Sequence, residues 1–293
     1  MDVALTGCTG FLGTYLTRAL SEAGHQVTGL VRPGSSTEHL DADLIHSMVG
    51  DLTDGPALRR LAESAEVVIH NAFEAVADQP LRHFRCNVLG SLQLLDFARQ
   101  SPGTQFIFIS TAQVFHDILP DRLLDEHHPV RPGDLDSAVK AAIGPFVSAY
   151  YETYGMNVCA LRPGRIYGVH PELVKSWAYD VINTVTLGEP VDTSAGAHVV
   201  NVDDVTEAVV RAVGNYAVAG QVYNLVDDYV CDQDVAEIAK EMTGSPSVIH
   251  DRRNGRGRHH FVPGKTPEVL GVDLDRGVDG IRDYVRAVLE QFS

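Results

Sequence analysis

The chain has 293 residues, of which 44% are hydrophobic and 21% are charged, a composition that is ordinary for a soluble globular protein. Its formal net charge of −16 disfavours nucleic acid and anionic membranes as main partners, because its long-range field repels both. The cysteines are scattered without metal-ligand spacing, so we expect reduced core residues, no metal site and a cytoplasmic location. The first apolar run begins near the first residue and no run approaches about 18 residues, so the sequence predicts neither a signal peptide nor a membrane span.

Short apolar runs alternate with helical patterns along most of the chain. Their nearly continuous apolar content is typical of parallel strands that are covered on both faces. The predicted strands are residues 3–6, 26–31, 67–70, 105–110, 158–162, 199–202 and 222–225. The predicted helices are residues 11–23, 89–99, 139–154, 177–186, 205–214 and 235–242, and residues 245–263 are predicted to be a loop. This alternation predicts an α/β fold with a doubly wound parallel sheet.

Three glycines mark the turn from the first predicted strand into the first predicted helix. Gly7, Gly10 and Gly13 leave room for a phosphate to approach the backbone, and the helix N-terminus offers free N–H groups and the positive end of its dipole. The alternative is a tight turn needed only for packing. The preceding strand and the amphipathic helix that follows favour a dinucleotide site.

Residues 6–13, Ser110-Thr111, Lys140 and residues 161–168 together resemble the extended short-chain dehydrogenases/reductases, the NAD(P)-dependent epimerase/dehydratase family. The resemblance runs from residue 1 to about 225 and implies a Rossmann-type doubly wound sheet with a smaller C-terminal substrate-binding lobe. We expect a dinucleotide-binding domain of residues 1–168 plus about 196–227, and a substrate-binding lobe of about 169–195 plus 228–293.

The resemblance also implies the residues that bind the cofactor. They are Gly7, Thr9, Gly10, Phe11, Leu12, Gly13, Arg32, Ser35, Asp51, Leu52, Asn71, Ala72, Phe73, Lys140 and Pro163. Val31 stands where relatives that prefer NAD carry Asp, and Arg32 follows it. Arginine forms a permanently charged, bidentate contact with a 2′-phosphate, so the sequence favours NADP over NAD. The alternative, in which Arg32 covers the adenine or points to solvent, stays open.

The catalytic positions are only partly those of the family. Thr111 matches the hydroxyl that holds a substrate oxygen and Lys140 matches the lysine, but Asp136 stands where relatives carry the proton-donating Tyr. An ionised Asp cannot donate a proton, so Asp136 is a candidate general base, an anchor that pairs with Lys140, or a helix cap with Ser137. His116 is the rival acid or base, because imidazole titrates near neutral pH. Pro145 predicts a kink in the helix that carries Lys140.

These features predict an NADP-dependent oxidoreductase or epimerase that acts on a carbonyl or hydroxyl of a small molecule with a non-standard proton relay. The substrate classes are a sugar, a sugar nucleotide or a natural-product intermediate. The alternatives are an NADP-binding sensor or scaffold without catalysis, and non-redox chemistry on the same fold. The resemblance implies a homodimer formed through the helices at residues 89–99 and 139–154.

Two groups of basic residues lack an assigned role. Arg252, Arg253, Arg256 and Arg258 either grip a substrate phosphate or form a mobile basic loop. The pairs His127-His128 and His259-His260 lack further metal ligands, so we expect solvated loop residues.

Overall fold

The computed structural model describes residues 1–75, 79–119, 121–252, 260–262 and 264–292. The strands are β1 (Asp2–Thr6), β2 (Gln26–Val31), β3 (Ile45–Val49), β4 (Val67–His70), β5 (Gln105–Ile109), β6 (Val158–Pro163), β7 (Arg165–Tyr167), β8 (Val191–Thr193), β9 (Gly196–Asn201), β10 (Val222–Leu225), β11 (Asp228–Cys231) and β12 (Ile249–Asp251). The α-helices are α1 (Phe11–Glu22), α2 (Gly55–Glu63), α3 (Pro80–Phe84), α4 (Gly90–Gln100), α5 (Leu135–Tyr154), α6 (Tyr179–Thr186), α7 (Val202–Ala212), α8 (Asp232–Thr243), α9 (Thr266–Leu270) and α10 (Gly277–Glu290).

The described residues form a central seven-stranded sheet in the order β10-β6-β5-β4-β1-β2-β3. Every neighbouring pair in it is parallel, which confirms the predicted doubly wound sheet of the Rossmann type. The winding direction changes between β1 and β4, and in such sheets a crevice for ligands opens beyond the strand ends at that point. Two apolar cores cover the sheet, one with α1 and α7 and the other with α2, α4 and α5.

The strand sequences explain why both faces are covered. In β1, Leu5 points into the core with α1 and Ala4 into the opposite core, and the same alternation places Ile69 and Val68 of β4 on opposite faces. All these side chains are fully buried. All four cysteines are likewise buried and none of them forms a disulfide, as the sequence predicts.

A smaller group of elements packs around a third core. It contains the three-stranded sheet β11-β9-β7, the pair β12-β8, and helices α6, α8 and α10. Tyr167 and Tyr284 are buried there beside the ring of Trp177. We propose the two-lobe division with the boundaries given above, and this third core supports it. The predicted loop at residues 245–263 is wrong for β12, because Ile249 pairs in register with Val191 of β8.

Helix α5 begins at Leu135 and continues through Pro145 to Tyr154 without a break. Its N-cap is Asp134, whose Oδ1 accepts the N–H of Ser137 at 2.7 Å, while the Ser137 hydroxyl lies 3.4 Å from the Asp134 N–H and completes a capping box. The interpretation of Asp136 as the cap is therefore wrong. Asp136 lies in the first turn and is not part of the capping box.

This assignment predicts unequal effects of two neighbouring substitutions. Asp134→Ala should lower the free energy of unfolding by about 1 kcal/mol, since it removes the acceptor for the N–H of Ser137. Asp136→Asn, the matched control, leaves the capping box intact and keeps an oxygen near the buried His83, so it should cost less, about 0.3–0.5 kcal/mol from the lost charge at the helix dipole. Denaturant unfolding of both variants measures the difference, and an equal loss in the two would contradict the assignment.

Candidate active site

A cavity of about 350 Å³ opens at the carboxyl ends of β1, β2 and β4. It collects eleven of the residues predicted to bind the cofactor, namely Gly7, Thr9, Gly10, Phe11, Leu12, Arg32, Asp51, Leu52, Asn71, Ala72 and Phe73. Gly13, Ser35, Lys140 and Pro163 lie outside its lining. Leu30 and Glu74 also line it and were missed, because neither belongs to a motif. We call this space the cofactor cavity, and its occupancy by a dinucleotide stays a prediction.

The Gly-rich turn fits a pyrophosphate. Gly7 has φ +72°, and a Cβ there would lie 2.9 Å from the backbone of Ala72. A Cβ on Gly13 would lie 2.0 Å from the Gly7 carbonyl oxygen, so that glycine sets how closely α1 approaches β1 although it does not face the cavity. No side chain caps α1 at Gly10, which leaves its first N–H groups available to an anion.

The rim of this cavity carries one basic and one acidic residue. Arg32 is exposed there, and Asp51 lies beside it with its Oδ1 accepting both the hydroxyl and the N–H of Thr53 at 2.7 Å. The Thr53 hydrogen bonds lower the pKa of Asp51, and the charge of Arg32 adds to the effect. From the loop after β2, His39 donates to the Thr9 carbonyl at 3.0 Å and brings that loop over the Gly-rich turn.

Lys140 lies where the cofactor cavity meets the end of β5. Its Nζ donates to the carbonyls of Ile109 and Ser110 at 3.3 and 3.2 Å and lies 5.3 Å from the ring centroid of Phe73. Burial of the ammonium lowers the pKa of Lys140 to about 8, against the opposing charge of Asp136. The predicted Asp136–Lys140 ion pair is wrong: among the described residues, no carboxylate oxygen lies within 4.0 Å of Nζ.

Asp136 turns instead toward α3. Its Oδ1 lies 3.3 Å from Nε2 of His83, a fully buried histidine whose ring meets that of Phe73 edge-on at 5.3 Å. The other ring nitrogen of His83 lies 3.2 Å from Nδ2 of Asn87. Sequence reasoning missed His83, because nothing in its local pattern marks a site and only the fold brings α3 against α5.

Thr111 and His116 are separated by one turn of 3₁₀ helix. The Oγ1 of Thr111 accepts the N–H of Gln113 at 3.2 Å, so its own proton stays available for a substrate oxygen. His116 is exposed, packs against Gly133 and lines a larger cavity of about 840 Å³. The structure thus places His116 in the larger cavity without an ion pair to Asp136, and its role as an acid or base stays a prediction.

We call the larger cavity the substrate cavity after its proposed role. It lies between the end of β6 and the three-stranded sheet β11-β9-β7. Its lining includes His116, Asp134, Arg165, His198 and Tyr229. Arg165 also lines an adjoining cavity of about 330 Å³ beside Trp177. Among the described residues, no carboxylate lies within 4.0 Å of the Arg165 guanidinium, so its charge is available to a ligand. Arg165 stands in the motif at residues 161–168, a signal that could have found it.

The remaining basic and histidine residues fall into three groups. Arg252 pairs with Asp192 at 3.1 Å, whereas Arg253, Arg256, Arg258 and His259 lie outside the described residues. His127 is exposed, as expected, and His260 is exposed with Asp228 at 4.0 Å. The expectation for His128 is wrong: it is buried, and its Nε2 accepts the N–H of Leu119 at 3.0 Å.

The described residues contain neither a candidate metal site nor a candidate membrane-spanning helix. No group of three or more His, Cys, Asp and Glu side chains there is arranged to hold a metal ion. In the same part of the chain, no helix has the length and apolar character needed to cross a membrane.

The buried ammonium predicts a gain of stability when it is removed. The pKa of Lys140 falls from an ordinary 10.5 to about 8, so the native state disfavours the charged form. Below the lower value both native and unfolded states carry the proton and the penalty is fully present; stability then rises with pH between the two values. Lys140→Met should raise the free energy of unfolding at pH 7 by about 1–3 kcal/mol and remove that rise.

Denaturant unfolding at neutral and alkaline pH, without cofactor, measures this effect. Lys175→Met is the control, because that ammonium is exposed beside Glu172. A Lys140→Met protein that is less stable than the parent at pH 7 would contradict the desolvation argument.

Comparison with known proteins agrees with this geometry. Residues 3–225 match the model of the NAD dependent epimerase/dehydratase family. The chain is 27% identical to a dTDP-glucose 4,6-dehydratase of Mycolicibacterium smegmatis over 98% of this chain and 94% of the relative. It is 28% identical to a UDP-glucose 4-epimerase of the same organism, over 77% of each chain.

Solved structures share the fold. The UDP-glucose 4-epimerase of Thermotoga maritima, crystallised with UDP-glucose, superimposes with a TM-score of 0.84 at 21% identity over 100% of both chains. That of Thermus thermophilus, solved with NAD, gives 0.80 at 24% identity over 99% of both. Because the family model spans most of its length, the chain belongs to the NAD dependent epimerase/dehydratase family and is an enzyme.

Proposed function

We propose that this enzyme uses NADP to interconvert a hydroxyl and a carbonyl group on the sugar of a sugar nucleotide. The observation that carries the proposal is the place of Lys140 between the two cavities, which we call the junction. Its Nζ lies 5.3 Å from the ring of Phe73, which lines the cofactor cavity, and donates to the carbonyl of Ser110, close in sequence to Ala112 and Gln113, which line the substrate cavity. The relatives named for dTDP-glucose and UDP-glucose support the substrate class.

Each residue at the junction has one role in this proposal. A bound nicotinamide supplies the acceptor and donor of hydride. Thr111 donates a hydrogen bond to the reacting oxygen, and Lys140 holds the cofactor ribose while its positive charge favours a developing oxyanion. Asp136 receives the hydroxyl proton as general base, because a carboxylate accepts protons and the family's tyrosine is absent.

Arg165 gives the substrate cavity a cation for the diphosphate of a sugar nucleotide. A guanidinium binds phosphate oxygens through two parallel N–H groups, and Arg165 is exposed without a close carboxylate among the described residues. The cavity of about 840 Å³ is also large enough for a ligand of this size.

A substrate assay tests the reaction. The enzyme, NADP and dTDP- or UDP-linked hexoses should yield a keto or epimerised sugar nucleotide, detectable by NMR. Asp136→Asn should lower kcat about 100-fold, the typical contribution of general-base catalysis, while cofactor affinity stays unchanged. Asp283→Asn, on the exposed face of α10, is the control. No product with any hexose nucleotide would favour a cofactor-binding sensor instead.

A titration tests cofactor choice. NADP should bind more tightly than NAD, because Arg32 at the rim of the cofactor cavity meets the 2′-phosphate. Arg32→Ala should remove most of the difference, about 1.5–3 kcal/mol for a hydrogen bond to a charged group. Calorimetry measures both affinities, with Arg18→Ala on α1 as the control. Equal affinity of the parent for both cofactors would refute the preference.

We further propose a homodimer formed through α4 and α5. Large apolar side chains remain exposed on α5, namely Leu135, Phe146, Tyr151 and Tyr154. Such a group of exposed apolar side chains on one helix is typical of a surface that is covered by a partner. Sedimentation at micromolar concentration should show a dimer, and Phe146→Glu should shift it to the monomer. Val278→Glu, an exposed residue of α10, is the control, and a monomeric parent would count against the proposal.

A further inference from the structure

A buried histidine with an unmet polar atom lies behind Asp136. His83 is fully buried, and its Nε2 makes no hydrogen bond of regular geometry to any described residue, although Asp136 Oδ1 is 3.3 Å away. A buried polar atom without a partner costs about 1–3 kcal/mol. The only acid in ion-pair range of this nitrogen among the described residues is Asp136.

Asn87 determines which nitrogen of His83 carries the proton. The Oδ1 of Asn87 accepts the backbone N–H of Glu74 at 2.8 Å, so the orientation of its amide is fixed. Its Nδ2 then donates to the Glu74 carbonyl at 2.9 Å and to Nδ1 of His83 at 3.2 Å. Since Nδ1 accepts, the neutral imidazole carries its hydrogen on Nε2, which faces Asp136.

The backbone around Asn87 is also unusual. Residues Arg85–Leu89 form a π-helix between α3 and α4, and single turns of this kind occur frequently at functional sites. This π-helix places the Asn87 side chain so that it hydrogen-bonds both to the backbone of Glu74, which lines the cofactor cavity, and to Nδ1 of His83. Phe73 completes the group, because its ring contacts both Lys140 and His83.

We propose that His83, held by Asn87, is a positioning residue that aims the Asp136 carboxylate at the substrate hydroxyl. Asn87, His83 and Asp136 thus form a chain of neighbouring side chains that takes the place of the family's tyrosine, with Asp136 as its proton acceptor. The Asp136 side chain is 57% exposed and can meet a substrate, whereas His83 cannot. This inference rests on the proposed function, and it assigns to the site His83, which no motif marks, together with Asn87.

Oxidation of the substrate hydroxyl releases one proton and one hydride, and each has an acceptor. The substrate O–H bond breaks and its proton goes to the Asp136 carboxylate, the carbon–hydrogen bond breaks and its hydride goes to the oxidised nicotinamide, and a C=O bond forms. Reversal of the same transfers returns both hydrogens. In this proposal His83 gains and loses no proton, because the 3.3 Å approach of its Nε2 to the Asp136 carboxylate persists in both states and keeps that carboxylate in one orientation.

Nuclear magnetic resonance of the full-length enzyme with 15N-labelled histidine tests the geometry, with and without NADP. His83 should be the neutral tautomer with hydrogen on Nε2 at pH 7, and Asp136→Ala should shift that Nε2 signal while His128, a second buried histidine, stays unchanged. A proton on Nδ1 of His83, or a signal that ignores Asp136→Ala, would overturn the proposal.

Kinetics test the role. His83→Leu should lower kcat about 10- to 100-fold, the usual loss when an orienting partner is removed, with KM and NADP affinity within about threefold. His83→Gln keeps a donor N–H at the same reach and should recover most of the rate. Leu81→Ala, an exposed residue of the same helix, is the control for damage to α3.

The outcomes separate the inference from the proposed function. Absence of turnover by the unaltered enzyme contradicts the proposed function. A parent enzyme that turns over, together with a folded His83→Leu variant of equal kcat, overturns the role of His83 and leaves the function standing. Failure of His83→Gln to recover a rate lost in His83→Leu would show that the histidine acts by packing alone, which also overturns the proposal.

Discussion

The site is organised around an ammonium group that no carboxylate neutralises among the described residues. Lys140 is held at the end of β5 by two backbone carbonyls, and burial lowers its pKa to about 8. Carbonyl dipoles compensate a buried charge only in part, so the fold keeps this lysine at the expense of stability. The same charge lowers the pKa of the neighbouring His70 to about 3, after the larger effect of burial, and keeps that imidazole neutral between Thr6 and Ser91.

The sequence predicts the sheet well because its strands are buried on both faces. Strands β2, β4 and β10 have the predicted bounds, since a continuous apolar run ends where burial ends. Strand β3 has no such run, because it lies at the edge of the sheet and most of its residues are exposed or half-buried. The alternative in which Asp136 caps α5 is wrong for a related reason: Asp134 and Asp136 are both good N-cap residues, and only the backbone geometry distinguishes them.

The cofactor side of the site is local in sequence, and the catalytic side is not. The eleven predicted residues that line the cofactor cavity follow strand ends within a few positions, so a resemblance carried by short motifs is enough to imply them. His83, which contacts Asn87, approaches Asp136 only because α3 and α5, which lie in successive crossovers of the chain, are brought together by the fold. Tyr229 and His198 come together through antiparallel pairing of β11 with β9, which no local pattern indicates.

The distribution of charge adds a constraint on any ligand. A body of net charge −16 repels both a dinucleotide and a sugar nucleotide at long range. In the proposed function, three positively charged side chains oppose this repulsion near the ligands. They are Arg32 at the rim of the cofactor cavity, Lys140 at the junction and Arg165 in the substrate cavity. A carboxylate at position 136 then has a specific consequence. In the proposed function it places a negative charge beside the reacting sugar and away from the diphosphate, so a sugar nucleotide that entered in the reverse orientation would bring two anions together. An aspartate in place of the family's tyrosine would therefore also favour one direction of substrate binding.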